Sequence, residues 1–397
     1  VSAHRLVVLG GSSVSTPGLA LALRALPEDA RFDLVLHGRS QEKLDAVGRA
    51  CEAVLGPVER HSDLAAALRG ADLVLNQVRV GGLEARRFDE TFPRELGLVA
   101  EETLGAGGFA NARRTIPVVL ELARAVERHA PQATLVNLTN PASLVHQALV
   151  RETRVRAISV CDVPVTLERS VYELAGARPG TLRVDYYGTN HIGWVTAACD
   201  ERGHDRLPDV LARLGNGDRA SGVLPGPYLR YLYEPERFAA ANGKTRAAEL
   251  LDVEAEMLAE YAALSEGAGP EDVERVVSRR APHWYEEIVV PVLVGCVSPE
   301  RRRVVVQTAN GDLDPALPPA QTVELPVELS RAGLTPERPA PLPRDCRALL
   351  EENAAYEGLA VEAIVEDDRD KARRALALNP LVGGAKADAV LEAAWPD

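Results

Sequence analysis

What most constrains this chain is the regular alternation in its first 160 residues. The apolar runs RLVVLG (5–10), FDLVLHG (32–38), ADLVLNQV (71–78), ATLVNLT (133–139) and VRAISV (155–160) are separated by stretches of helical character. Each run is apolar throughout rather than at every second residue, so each strand must be buried on both faces. A parallel sheet covered by helices on both sides meets that demand. Helices are expected from about Pro17, where a proline in the first turn forfeits no hydrogen bond, over 40–54 with Ser40 as N-cap, over about 108–129 and over 141–150. The expectation is an α/β fold, with a Rossmann-like parallel-sheet domain over residues 1–180.

The pattern changes near residue 180. Residues 181–203 read as a pair of strands around Gly188 and Gly193, 226–280 as mainly helical, and 301–311 and 321–329 as further strands. A proline-rich connection (335–344) leads into a helical tail (347–378). Residues 181–397 are therefore expected to form a mixed α+β domain. With 397 residues, 46% of them hydrophobic, two such cores can be filled. A net charge of −13 argues against a protein that tracks nucleic-acid phosphates. The five cysteines are odd in number and scattered, which fits reduced thiols in a cytoplasmic protein. No leader-like or bilayer-spanning apolar run is seen, so no membrane partner is expected.

The loop LGGSSVSTP (9–17) joins the first strand to the first helix. Its small residues Gly10, Gly11, Ser12 and Ser13 would let backbone N–H groups approach a pyrophosphate at a helix N-terminus. The second strand should then end in an acid if the adenosine ribose is held through its 2′-hydroxyl. Here Gly38 and Arg39 stand instead. Arg39 is either a solvated surface residue or a partner for the 2′-phosphate of NADP.

Three polar stations follow strand ends or a turn: Asn137 and Asn140, Cys161 and Asp162, Asn190 and His191. Carboxyl ends of parallel strands line the ligand crevice in such sheets. A thiolate and an imidazole suit a divalent transition metal, and two protein ligands leave positions open for a substrate. Each residue also has an ordinary reading: Cys161 as a small core side chain, Asp162 as a helix N-cap, His191 as a bonded turn residue, Asn140-Pro141 as a turn.

Their order and company resemble glycoside hydrolase family 4. The matching stretches are GGSSVSTP (10–17), RVGGLEARRFDE (79–90), EETLGAGGF (101–109), NLTNP (137–141), CDVP (161–164), YYGTNHIGW (186–194), PYLRYLY (227–233), TRAAE (245–249) and ANGDLDPALPP (309–319). The resemblance implies a fold related to lactate and malate dehydrogenases. It implies a glycosidase that does without the usual pair of carboxylates. Instead NAD oxidises the sugar at C3, a divalent metal such as Mn2+ polarises the new ketone, a base takes the C2 proton and the C1 group is eliminated. By the same resemblance Cys161 and His191 are the metal ligands, Tyr228 the C2 base and Asp162 the leaving-group acid, which favours an α-linked group. Arg86 and Arg246 face the anionic end of the sugar, and Asn140 and Asn190 line the sugar or the metal shell. The substrate is a hexoside or 6-phosphohexoside, and the assembly a homodimer or homotetramer.

Three departures from the family pattern stand out. Gly38-Arg39 replaces the acid after strand two, Ala100-Glu101 replaces Gly-Gln before ETLG, and Leu232 replaces a tyrosine. A second reading is a sugar oxidoreductase or epimerase on the same scaffold, using NAD or NADP. Simple hydroxy-acid oxidation fits poorly, because Arg169 lies at the wrong spacing from Asp162 for an Asp-x-x-Arg segment.

Overall fold

The computed structural model describes residues 3–27, 30–214, 222–239 and 243–396. Six parallel strands form the first part of the sheet: β1 (His4–Leu9), β2 (Phe32–His37), β3 (Glu59–His61), β4 (Leu73–Asn76), β5 (Thr134–Asn137) and β6 (Arg156–Ser159), in the order β3-β2-β1-β4-β5-β6. Successive residues of β1 enter opposite cores. Leu6 and Val8 pack on one side with Leu34, Leu36, Leu73 and Leu75, while Val7 and Leu9 pack on the other with Val35, Val74 and Leu135. That is why the runs are apolar at every position.

The second half of the chain extends this sheet. Its strands are β7 (Leu182–Thr189), β8 (Ile192–Asp200), β9 (Leu224–Pro225), β10 (Arg302–Ala309), β11 (Thr322–Ser330) and β12 (Gly333–Pro336). β10 runs antiparallel to β6, and the order continues β10-β11-β7-β8-β9, with β12 on β11. The two joints are narrow: Gln307 pairs with Ser159, and Glu324 pairs with Gly188. These registers bring the ends of β5 and β6, the start of β11 and the β7–β8 turn to one edge of the sheet.

The expected strands and helices over 1–160 are present, with Ser40 accepting from Lys43 N–H as an N-cap (3.4 Å). β3, β9 and β12 are not apolar runs: only Leu224 among their residues is buried. Residues 227–239 contain one 3-10 turn and two short helices, while the regular helices of that region are Arg246–Ala262 and Pro270–Val277. The tail is two helices, Arg344–Glu366 and Arg369–Leu378, broken where Asp367 takes a left-handed conformation (φ 55°). No helix among the described residues is long and apolar enough to cross a membrane.

Candidate active site

The loop after β1 turns at Gly10 (φ 80°), where an added Cβ would lie 3.1 Å from the Gln77 carbonyl. Gly11 N–H donates to His37 O (2.8 Å), which ties the loop to the end of β2. Ser13 N–H closes the turn on Gly10 O (3.1 Å), and the Ser13 hydroxyl accepts from Ser15 N–H (3.3 Å). The N–H groups of Ser12 and Val14 have no acceptor among the described residues, just ahead of the helix Thr16–Arg24. Free backbone donors at a helix entry suit a pyrophosphate. Gln77, which the motifs did not single out, braces the loop. Its amide donates to Thr16 Oγ1 (2.9 Å) and Gly10 O (3.3 Å), and its carbonyl accepts from the Tyr285 hydroxyl (2.6 Å).

Beyond β6, Cys161 is buried and Asp162 is exposed. Asp162 occupies the N-cap position of the helix Val163–Ala175, but its side chain makes no capping bond, so its carboxylate is not engaged in capping. The thiol accepts from Val163 N–H (3.5 Å). Burial pushes its pKa well up, with Glu324 and Asp162 adding to the rise, while the neighbouring Asn190 amide pulls it down slightly. Asn190 is 3% exposed and its Nδ2 has no hydrogen-bond partner of normal geometry. An orphaned buried donor costs about 1–3 kcal/mol, which fits a place completed by a bound group.

His191 takes a left-handed conformation (φ 68°) in the β7–β8 turn and is buried. Burial pushes its pKa down to about 4, so the ring is neutral. Its Nδ1 lies 2.8 Å from the Thr103 hydroxyl. That hydroxyl donates to Glu101 Oε2, which also accepts from Thr103 N–H (2.6 Å) and Leu104 N–H (2.8 Å). Burial pushes the Glu101 pKa up to about 7, against the bonds from Thr103 and Leu104, which favour its ionised form. With Glu101 ionised, Thr103 gives its only hydroxyl proton to the carboxylate and accepts from His191 Nδ1–H. The bare ring nitrogen is then Nε2, the form a metal ligand needs. Tyr228 stacks on His191 with ring centroids 3.8 Å apart. Burial, followed by Glu101, Cys161 and Asp162, raises the phenol pKa. The protein's own field thus keeps Tyr228 protonated, and a lower pKa requires a bound cation. Among the described residues no group of three or more His, Cys, Asp or Glu side chains forms a closed metal cage.

Arg86 is engaged by Glu90 Oε1 (2.7 Å) and Glu102 Oε1 (2.9 Å), and Glu102 also holds Arg79. The other oxygen of Glu90 accepts from Ala247 N–H (2.8 Å), which brings the start of the helix Arg246–Ala262 beside Arg86. Arg246 itself is 60% exposed and paired with Glu249. Arg280 is half-buried near Arg79 and Arg86, without an ion pair among the described residues. Burial lowers its pKa, and Arg79 and Arg86 lower it further. Asn140 is half-buried and its side chain has no hydrogen-bond partner among the described residues, whereas Asn137 is locked to Asn76, Thr139 and Ser159. Arg39 lies exposed beyond β2.

The family model for family 4 glycosyl hydrolases matches residues 5–177, and the model for the C-terminal domain of the same family matches 186–382. The chain belongs to glycosyl hydrolase family 4. A similar relative is a probable 6-phospho-beta-glucosidase of Bacillus subtilis, 29% identical over 95% of this chain and 92% of that protein. A crystal structure of a 6-phospho-alpha-glucosidase from gut microorganisms, in complex with NAD and glucose-6-phosphate, matches with a TM-score of 0.90 and 26% identity over 99% of this chain and 97% of that one. The structure of a 6-phospho-alpha-glucosidase from the same source with NAD and Mn2+ matches at a TM-score of 0.87, with 26% identity and the same coverage. Lactate dehydrogenase from Eimeria maxima shares the fold at a TM-score of 0.54 and 12% identity over 95% of this chain and 96% of that one.

Within this family 4 enzyme, Cys161, Asn190, His191 and Tyr228 converge, with Asp162 next to the thiol. Arg246 stays at the rim. Thr103 and Glu101 lie within a quoted motif, but their bonding to His191 has no sequence signature.

Proposed function

We propose that this enzyme hydrolyses a 6-phosphohexoside, with a nicotinamide dinucleotide on the loop after β1 and a divalent metal held by Cys161 and His191. The observation that carries this reading is the 2.8 Å contact that occupies His191 Nδ1 with the Thr103 hydroxyl and leaves Nε2 for a metal, beside a buried thiol and the stacked Tyr228. Family membership and relatives named as 6-phospho-glucosidases, some solved with NAD, Mn2+ or glucose-6-phosphate, support it. The dinucleotide supplies reversible oxidation at sugar C3, and the metal supplies a positive charge that acidifies the neighbouring C2 proton.

The chain's own groups then have separable tasks. Tyr228 accepts the C2 proton once a cation offsets the acids that keep its phenol protonated. Asp162, exposed and not engaged in capping, gives a proton to the departing C1 oxygen. Asn140 and Asn190 offer unpaired polar atoms to sugar hydroxyls or to the metal shell. Arg86 and Arg280 lie toward the phosphate end, and an anion there would relieve the mutual repulsion around Arg280. Arg246 joins them from the helix start next to Glu90. In this reading residues 1–180 carry the dinucleotide, residues 181–397 carry the turn and the base, and the protein works in the cytoplasm as a homodimer or homotetramer.

The test is hydrolysis of nitrophenyl 6-phospho-α- and 6-phospho-β-glucosides in D2O with Mn2+, dinucleotide and reductant. Deuterium should appear at C2 of the product, the α-anomer should be preferred, and Tyr228→Phe should remove both turnover and exchange. Full activity of Cys161→Ser, or turnover without deuterium at C2, would overturn the proposal.

A further inference from the structure

We infer that this enzyme binds the 2′-phosphorylated dinucleotide, NADP, in preference to NAD, and that Arg39 makes the choice. The inference rests on the reading that the loop after β1 holds a nicotinamide dinucleotide. In a sheet of this kind the adenosine ribose lies beside the end of the second strand. A carboxylate there binds the 2′-hydroxyl of NAD and repels a 2′-phosphate, whereas an arginine accepts the phosphate.

The end of β2 meets the loop directly, since Gly11 N–H donates to His37 O (2.8 Å). The next position, Gly38, packs against the loop's Ser12, so a side chain there would have to shift that of Ser12. A Cβ there would stand 2.9 Å from Ser12 Oγ, 3.0 Å from Ser12 Cβ and 3.3 Å from Leu44 Cδ1. Gly38 leaves the place where an acid would serve the 2′-hydroxyl without a side chain, and the residue that follows it at the end of the strand is Arg39.

Arg39 is exposed and makes no hydrogen bond or ion pair among the described residues. Charged side chains of the flanking segments are committed elsewhere: Arg60 to Glu52 and Asp45, Lys43 to Glu254, and Asp63 to the capping of Ala66 N–H (2.6 Å). The one acid in the first turn of the following helix, Glu42, is solvent-exposed. The helix Gln41–Leu55 starts immediately after Arg39 and Ser40, and its N-terminal end favours an anion at the same place. A planar guanidinium with no internal partner can fork onto a phosphate without giving up a bond.

The test is titration of the full-length protein with NADP+ and NAD+, followed by calorimetry, for the wild type and Arg39→Leu. Adenosine 2′,5′-bisphosphate and AMP serve as probes that lack the nicotinamide. The wild type should bind NADP+ and the bisphosphate about 10- to 100-fold more tightly than NAD+ and AMP, the range of a charge-assisted bond. Arg39→Leu should erase the difference, and it should fold normally because Arg39 has no internal partner. Equal or tighter binding of NAD+ by the wild type, or a preference for NADP+ that survives in Arg39→Leu, would overturn the inference while leaving the loop as a dinucleotide site. Binding of neither dinucleotide would overturn the loop reading itself, and this inference with it.

Discussion

Replacing Thr103 by valine keeps the size and branching of the side chain and removes only the hydroxyl. Two bonds disappear: the one to Glu101 Oε2 and the 2.8 Å contact with His191 Nδ1. A bond to a carboxyl group contributes about 1.5–3 kcal/mol, and leaving the imidazole N–H unpaired in a buried place costs about 1–3 kcal/mol. Glu101 keeps two backbone donors, so its share of the loss should be at the lower end. The ring of His191 is no longer held with its proton on Nδ1, and it can turn or change tautomer. Loss of such outer support lowers metal affinity by about 10- to 100-fold. Mn2+ binding by the metal-free protein, read from the loss of the free-ion EPR signal, should weaken by that factor in Thr103→Val and recover in Thr103→Ser. Urea unfolding of the same variants separates general destabilisation from loss of the site. Wild-type Mn2+ affinity in Thr103→Val would refute the relay from Glu101 to His191, whatever the change in stability.

Two further outcomes follow from the charges. Arg280→Met removes a half-buried cation that has no ion pair among the described residues, so the unliganded protein should keep its stability or gain about 1 kcal/mol. KM for a 6-phospho-glucoside should rise about 10- to 100-fold, and inorganic phosphate should no longer raise the melting temperature; an unchanged KM would remove Arg280 from the phosphate end. His146 is fully buried beside Ser159 (3.0 Å), and burial pushes its pKa down from 6.5 to about 4. The unfolded chain takes up a proton that the folded protein refuses, so this contribution is complete above pH ~6.5 and is lost as pH falls toward 4. It amounts to about 2 kcal/mol less stability at pH 5 than at pH 7.5. Other buried groups add slopes of their own, so the check is the difference between proteins: urea unfolding at the two pH values should show a pH dependence that differs by that amount between wild type and His146→Asn, and the same pH dependence in both would refute the assignment.

Sequence alone determined the parallel half of the sheet, the loop after its first strand and the order of the stations Asn140, Cys161–Asp162 and Asn190–His191. These are local properties. An apolar run needs two covered faces, a glycine turn needs a strand before it and a helix after it, and polar residues at strand ends fall at one edge. The same local reading missed β3, β9 and β12, among whose residues only Leu224 is buried, so no apolar pattern marks them.

The tertiary structure decided how the pieces act on one another. The second half of the chain continues the first sheet through the pairs Gln307–Ser159 and Glu324–Gly188, and so the turn carrying His191 reaches the edge beyond Cys161. The contact that sets the tautomer of His191 spans 88 residues. Arg86 and Arg246 looked equivalent as motif arginines, yet one is locked between Glu90 and Glu102 and the other is exposed. Whether a charge is paired, buried or free depends on neighbours supplied by distant segments. That is why the types of chemical group could be read from the chain, while their protonation and partners could be read only from the fold.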